Sequence, residues 1–126
     1  MKNITKGQME AKISEEMVKF EKEFMGRGPI ETNTVIAKDA IFVRLKGVLT
    51  PAEVHVAKTP EGAELIKRTR FQFLNGAREI LDNIVLRITG SKIISLHSDI
   101  STRNGERVIV FILDNDLEAQ LKSKIN

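Results

Sequence analysis

Six consecutive apolar residues, Val108 to Leu113, constrain this chain more than any other stretch. A membrane helix needs about 20 such residues, so the run is too short to span a bilayer. It is rich in β-branched side chains and follows a loop holding Asn104-Gly105, a strong turn signal. The run therefore predicts a strand buried on both faces, with Val108, Val110 and Ile112 on one and Ile109, Phe111 and Leu113 on the other. The arm before the turn, Lys92 to Ile100, reads as a partner strand of mixed character. Ile94, Leu96 and Ile100 share one face with Ser98, while Ser95, His97 and Asp99 share the other with Ile93. An apolar strand left bare is an aggregation hazard, so both its sides need cover.

The rest of the chain supplies candidate cover. Thr5-Lys6-Gly7-Gln8 reads as a capping box, and Met9, Ile13, Met17, Phe20 and Phe24 follow as one apolar helical stripe. Core packing explains that stripe. Gly26-Arg27-Gly28-Pro29 ends the helix. Phosphate loops usually lead into a helix, whereas this turn leaves one, so it reads as a structural stop. Arg27 is the one side chain there suited to an anion. Thr34 to Ala37 and Ala40 to Gly47 form a first hairpin turning at Lys38-Asp39, in which Ile41, Val43 and Leu45 alternate with Phe42, Arg44 and Lys46.

Thr50-Pro51-Ala52-Glu53 starts a short second helix, and Thr59-Pro60-Glu61 restarts the pattern. From Pro60 to Thr89 the spacing predicts one helix of about 30 residues, ~45 Å long. Its core stripe is Ile66, Thr69, Phe73, Ala77, Ile80, Ile84 and Ile88, widened by Leu74, Leu81 and Val85. Gly76 allows close packing or a bend in its middle, and Gly90 is the expected C-cap. Part of so long a helix should project past the sheet or pack on a partner. Asp114 to Asp116 offers an N-cap for a last helix bearing Leu117, Leu121 and Ile125.

The order is α-β-β-α-α-β-β-α in a single domain, residues 1–126. Two hairpins joined by helices imply an α+β fold: a four-stranded, mainly antiparallel sheet packed against helices, one of them long. Ile109, Phe111 and Leu113, with Phe42 and Ile93, are expected to face away from the main helical layer. The last helix or a second subunit must then shield them. A homodimer is the expected solution, with Phe42, Ile109, Phe111 and Leu113 at its interface.

Chemistry is less legible. There are no cysteines, which excludes disulfides, thiolate catalysis and Cys-based zinc. The two histidines, His55 and His97, have no ligand spacing, so neither a metal nor a cofactor is expected. No Walker A, G-x-G-x-x-G or G-x-S-x-G pattern occurs. No signal-like start appears. The net charge of +3 comes from 20 basic and 17 acidic residues with interspersed signs. The densest basic cluster, Lys67-Arg68 with Arg70, reads as a solvated helix face. The six phenylalanines sit mostly in apolar stripes, which argues against a nucleic-acid surface. One constellation stands out. Arg44 and Lys46 alternate on one strand, and His97 and Asp99 on another. If those faces coincide, the four could form an acid–base pair or an anion site. Cross-strand charge pairing on an exposed face is the plainer reading, and catalysis the weaker one.

Several blocks together resemble a known family. They are Thr5-Lys6-Gly7-Gln8, Met25 to Pro29, Val43 to Glu53, Ser95 to Ser101 and Gly105 to Phe111. Over about residues 5 to 118 the chain resembles the MpsC family, named for a component of a Na+-translocating, membrane-potential-generating system. The resemblance implies a soluble, cytoplasmic accessory or regulatory protein acting with a membrane Na+-translocating or inorganic-carbon uptake system. It brings no catalytic residues, so a non-enzymatic role is expected. The alternative is a small-anion-binding protein or enzyme using Arg44, Lys46, His97 and Asp99.

Overall fold

The computed structural model describes residues 4–125, with side chains as far as Lys122. The elements are α1 (Lys6–Phe24), β1 (Glu31–Ala37), β2 (Ala40–Lys46), α2 (Pro51–Val56), α3 (Pro60–Gly76), α4 (Arg78–Thr89), β3 (Ile93–Ser101), β4 (Glu106–Leu113) and α5 (Leu117–Ile125). The four strands form one antiparallel sheet in the order β1-β2-β4-β3. The fold is α+β, and the apolar run Val108 to Leu113 lies in an inner strand of the sheet.

The helix starts follow the expected capping chemistry. At α1 the Gln8 N–H donates to Thr5 Oγ1 at 3.1 Å, and the Thr5 N–H donates to Gln8 Oε1 at 2.9 Å. At α2 Thr50 and Glu53 repeat the pair. α1 buries Met9, Ile13, Met17 and Phe20, but its stripe continues into Glu21, which is fully buried, and not into Phe24, which is half-exposed.

The predicted 30-residue helix is two helices. Ala77 leaves the helical region (φ −98°, ψ 12°), and its N–H is shared between the carbonyls of Phe73 and Leu74. Gly76, a poor helix former, marks the break. The inward stripe of α3 is Gly62, Ile66, Arg70 and Leu74, so Phe73 points outward and is half-exposed. Packing at Gly62 sets that rotation. A Cβ there would sit 1.7 Å from the Val56 carbonyl oxygen, so α2 lies directly on α3 at this point.

The sheet has one covered and one open face. On the covered face Ile41 pairs with Phe111 and Val43 with Ile109, and these residues are fully buried with Leu45 and Leu113. The expectation that Ile109, Phe111 and Leu113 face outward with Phe42 is therefore wrong. Phe42 pairs with Val110, and the period of two places it opposite to Ile41 and Phe111. A bulge between Ile93 and Ser95 corrects a second assignment: Ile93 turns to the covered side opposite Leu113, and Ile94 is left 63% exposed. The open face carries Val35 and Phe42, 47% and 38% exposed, beside half-buried Val108, Val110 and Ile112. Among the described residues the chain does not itself supply the cover expected over this side.

α5 does not lie on the open face either. Leu117 and Leu121 join the core, and the Glu118 N–H donates to the Lys38 carbonyl, which fixes the helix against the β1–β2 turn. The side chain of Ile125, expected beside them, lies outside the described residues. At the β1 edge, Glu10 of α1 accepts from the Ile36 N–H at 2.8 Å, satisfying an unpaired edge donor.

Candidate functional site

Arg44, Lys46, His97 and Asp99 do share one sheet face, the open one. They are not clustered on it. Arg44 and Asp99 both pair with Val108, from opposite sides, which sets them two strand spacings apart, about 10 Å. His97 pairs with Val110, across from Phe42. The centre of the face is thus apolar, and its charges are matched elsewhere. Arg44 Nε donates to Glu106 Oε2 at 2.6 Å, Lys46 lies 3.8 Å from Glu31, and Asp99 lies 3.6 Å from Lys67. Arg27 is also engaged: its Nη1 donates to the Leu49 carbonyl at 3.1 Å, tying the α1 exit to the segment before α2.

A second cluster was not expected. Glu21 of α1, Arg70 of α3 and Arg107 of β4 are all buried in the core, at 0%, 1% and 1% exposure. Each occupies an inward position of its element: Glu21 after Phe20, Arg70 between Ile66 and Leu74, Arg107 in line with Ile109. Arg107 Nη1 donates to Glu21 Oε2 at 3.3 Å, and its Nη2 donates to the Arg70 carbonyl at 2.9 Å. Arg70 forms a forked pair with Glu53, Nε to Oε2 at 2.8 Å and Nη2 to Oε1 at 2.6 Å, and Nη2 also reaches the Val48 carbonyl. Glu53 therefore caps α2 and holds α3 at once.

Burial decides the electrostatics here. It pushes the Glu21 carboxyl above its ordinary range, against the pull of Arg107 and Arg70. It also pulls Arg107 below its ordinary value, against the support of Glu21. Burial works on Glu53 too, but the hydrogen bonds from Arg70 and Thr50 outweigh it, and the carboxyl sits below its ordinary range. The donors are not all used. Arg70 Nη1 stands 3.5 Å from Glu21 Oε1 without a hydrogen bond, and Arg107 Nε has no partner.

The two arginines line a pocket of about 250 Å³. Its wall includes Lys67, Arg68 and Phe71 of α3 and Ser98, Asp99 and Ile100 of β3. The basic cluster assigned to a plain solvated face thus divides: Lys67 and Arg68 stand at the pocket, while Arg70 turns into the core. The one sequence signal for this was a charged residue on an apolar stripe at each of Glu21, Arg70 and Arg107. Chemically the arrangement offers positive charge and N–H donors. Among the described residues no three His, Asp or Glu side chains come together as a metal site, and no helix is long and apolar enough to cross a membrane.

A family model described as "Na+-translocating membrane potential-generating system (MpsC)" matches residues 5–115, a span that holds Glu21, Glu53, Arg70 and Arg107. The uncharacterized protein YbcI of Bacillus subtilis (strain 168) is 47% identical over 118 residues, covering 94% of this chain and 95% of YbcI. The uncharacterized protein YrhF of the same organism is 29% identical over 104 residues, covering 81% of this chain and 84% of YrhF. No solved structure matches the chain.

Proposed function

We propose, from the premise that this chain belongs to the MpsC family, that it is a non-enzymatic accessory or regulatory protein of a membrane Na+-translocating or inorganic-carbon uptake system. It acts there from the cytoplasm and as a homodimer. The observation that carries the reading is the open sheet face. No described helix is long and apolar enough to cross a membrane, and this reading assigns the contact with such a system to protein surface. The row Val35, Phe42, Val110 is an apolar strip across three strands with no cover of its own. Such strips on otherwise polar surfaces mark interaction sites.

A second copy suits this face better than an anionic lipid surface. Around the strip stand Arg44, Lys46 and Lys67 against Glu106, Glu31 and Asp99, each cation paired with a carboxylate. That balance lets two copies meet without net repulsion, and it gives no net pull toward a negatively charged bilayer.

The test is genetic and physiological. Cells lacking the chain should show an altered Na+-dependent membrane potential, restored by the wild-type chain and not by Phe42→Glu. An unchanged potential on deletion, or full restoration by the variant, would refute the reading.

Small-anion binding is the second reading, favoured by the unspent guanidinium donors beside the α3–β3 pocket. The Arg44, Lys46, His97 and Asp99 face supports it less, because its charges already have partners.

A further inference from the structure

We propose that the pocket between α3 and the β3–β4 strands is a binding site for a small oxyanion, a carboxylate or phosphate group, with Arg70 and Arg107 at its floor and Lys67 and Arg68 at its mouth. Three observations carry this. First, one buried donor is left over. Arg107 Nε has no partner, while Arg70 Nη1 and Glu21 Oε1, each without a hydrogen bond, stand 3.5 Å apart. Buried polar groups nearly always find partners, and a guanidinium's unspent N–H groups are matched by oxyanion oxygens.

Second, cations outnumber carboxylates in the lining of the pocket. Lys67, Arg68, Arg70 and Arg107 line it against the carboxylates of Glu64 and Asp99. Glu53 and Glu21 lie behind these arginines, Glu53 held by the Arg70 fork and Glu21 set between Arg70 and Arg107. The walls also include apolar surface from Phe71 and Ile100, which lowers the local dielectric and strengthens the field a bound anion would meet. Third, the room is adequate. A volume of about 250 Å³ is several times the roughly 30 Å³ that one water occupies in the liquid, so the oxyanion has space for a short organic body.

The site does not depend on the oligomer or on the membrane partner. It is tested on the purified full chain by following the Arg107 Nε–H resonance in a ¹⁵N NMR titration. Inorganic phosphate and sodium acetate are the probes, and sodium chloride at matched ionic strength is the control. A saturable shift with phosphate, acetate or both supports the site and names the group it takes. The Lys67→Glu, Arg68→Glu double variant changes mostly solvated side chains and should weaken that binding about tenfold or more while its far-UV circular dichroism stays unchanged. Ser98→Ala, a smaller change in the same wall, serves if the double variant does not fold. No saturable shift with either anion, or the same shift with chloride, overturns the proposal. So does undiminished binding in the folded variant.

Discussion

Arg107 Nη1 meets Glu21 Oε2 at 3.3 Å across 86 residues of sequence, with both side chains fully buried. The contact joins the first helix to the inner strand of the sheet. A buried ion pair is expensive to desolvate, and removing one member leaves the other as an uncompensated charge in the core. Glu21 is shared by two guanidiniums, so its loss exposes both. Arg107→Met, which strands the Glu21 carboxylate, is expected to destabilise the chain by about 3–5 kcal/mol, and Glu21→Gln, which mimics the neutral form that burial favours, should cost less. Replacing Glu21 and Arg107 together by Gln and Met should cost less than the sum of the single changes. Urea unfolding of the four proteins in a double-mutant cycle gives the coupling directly, and a coupling near zero would show the contact to be incidental.

The two carboxylates that share Arg70 should respond to pH in opposite senses. The Glu21 carboxyl is raised above its reference of 4.5 by burial, so its contribution is fully present below that value and is lost as pH rises through the folded-state pKa. Glu53 is lowered from 4.5, because its hydrogen bonds outweigh its burial. Its contribution is present above 4.5 and is lost as pH falls through the folded-state value. Relative to wild type, Glu21→Gln should therefore lose least stability toward the alkaline side of 4.5, and Glu53→Gln should lose least toward the acid side. Melting temperatures of the three proteins between pH 3 and 8 check this. Parallel curves would remove the assignment.

How much of this was readable beforehand divides by range of interaction. Capping boxes at Thr5 and Thr50 depend on residues three positions apart, and both formed as the residues dictated. The order of strands and helices followed from periodicity and from the caps and turns that punctuate it, except that one expected helix is two. The face assignments of Phe42 and Phe111 did not, because a period of two separates two faces without saying which one the helices cover. Ile93 was misplaced for a related reason: one extra residue at a bulge inverts every assignment on the N-terminal side of it. The site beneath α3 was the hardest to see. Arg70 looked solvated beside Lys67 and Arg68, and its acceptors come from Glu53, 17 residues away, and from the Val48 carbonyl.

The corrected faces separate two kinds of phenylalanine. Phe111 is fully buried beneath the helices, and Phe42 is 38% exposed on the open side. Phe111→Ala should lower stability by about 3–5 kcal/mol through the cavity it leaves. Phe42→Glu should leave the melting temperature of the isolated chain nearly unchanged and abolish the dimer. Sedimentation velocity at micromolar concentration distinguishes them. A wild-type chain that is monomeric there, or a Phe42→Glu chain that still dimerises, removes the open face as the contact.

Gly62 and Gly76, both in α3, predict opposite outcomes for the same substitution. Gly76 ends the helix at a solvent-facing position where an added Cβ meets nothing within 4 Å. Alanine there lowers the entropy of the unfolded chain and favours helix, so Gly76→Ala should stabilise by about 0.5–1 kcal/mol. Gly62 faces α2, and a Cβ would overlap the Val56 carbonyl oxygen at 1.7 Å. That atom is backbone in a short helix held by Thr50 and by the Glu53–Arg70 fork, so relief requires α2 to move as a body. Gly62→Ala should cost about 1–3 kcal/mol or more and loosen that fork. Its signature is faster amide hydrogen exchange in α2 with β4 still protected. If Gly62→Ala is as stable as wild type, α2 does not pack on α3 through that glycine, and the rotation of α3 that buries Arg70 needs another cause.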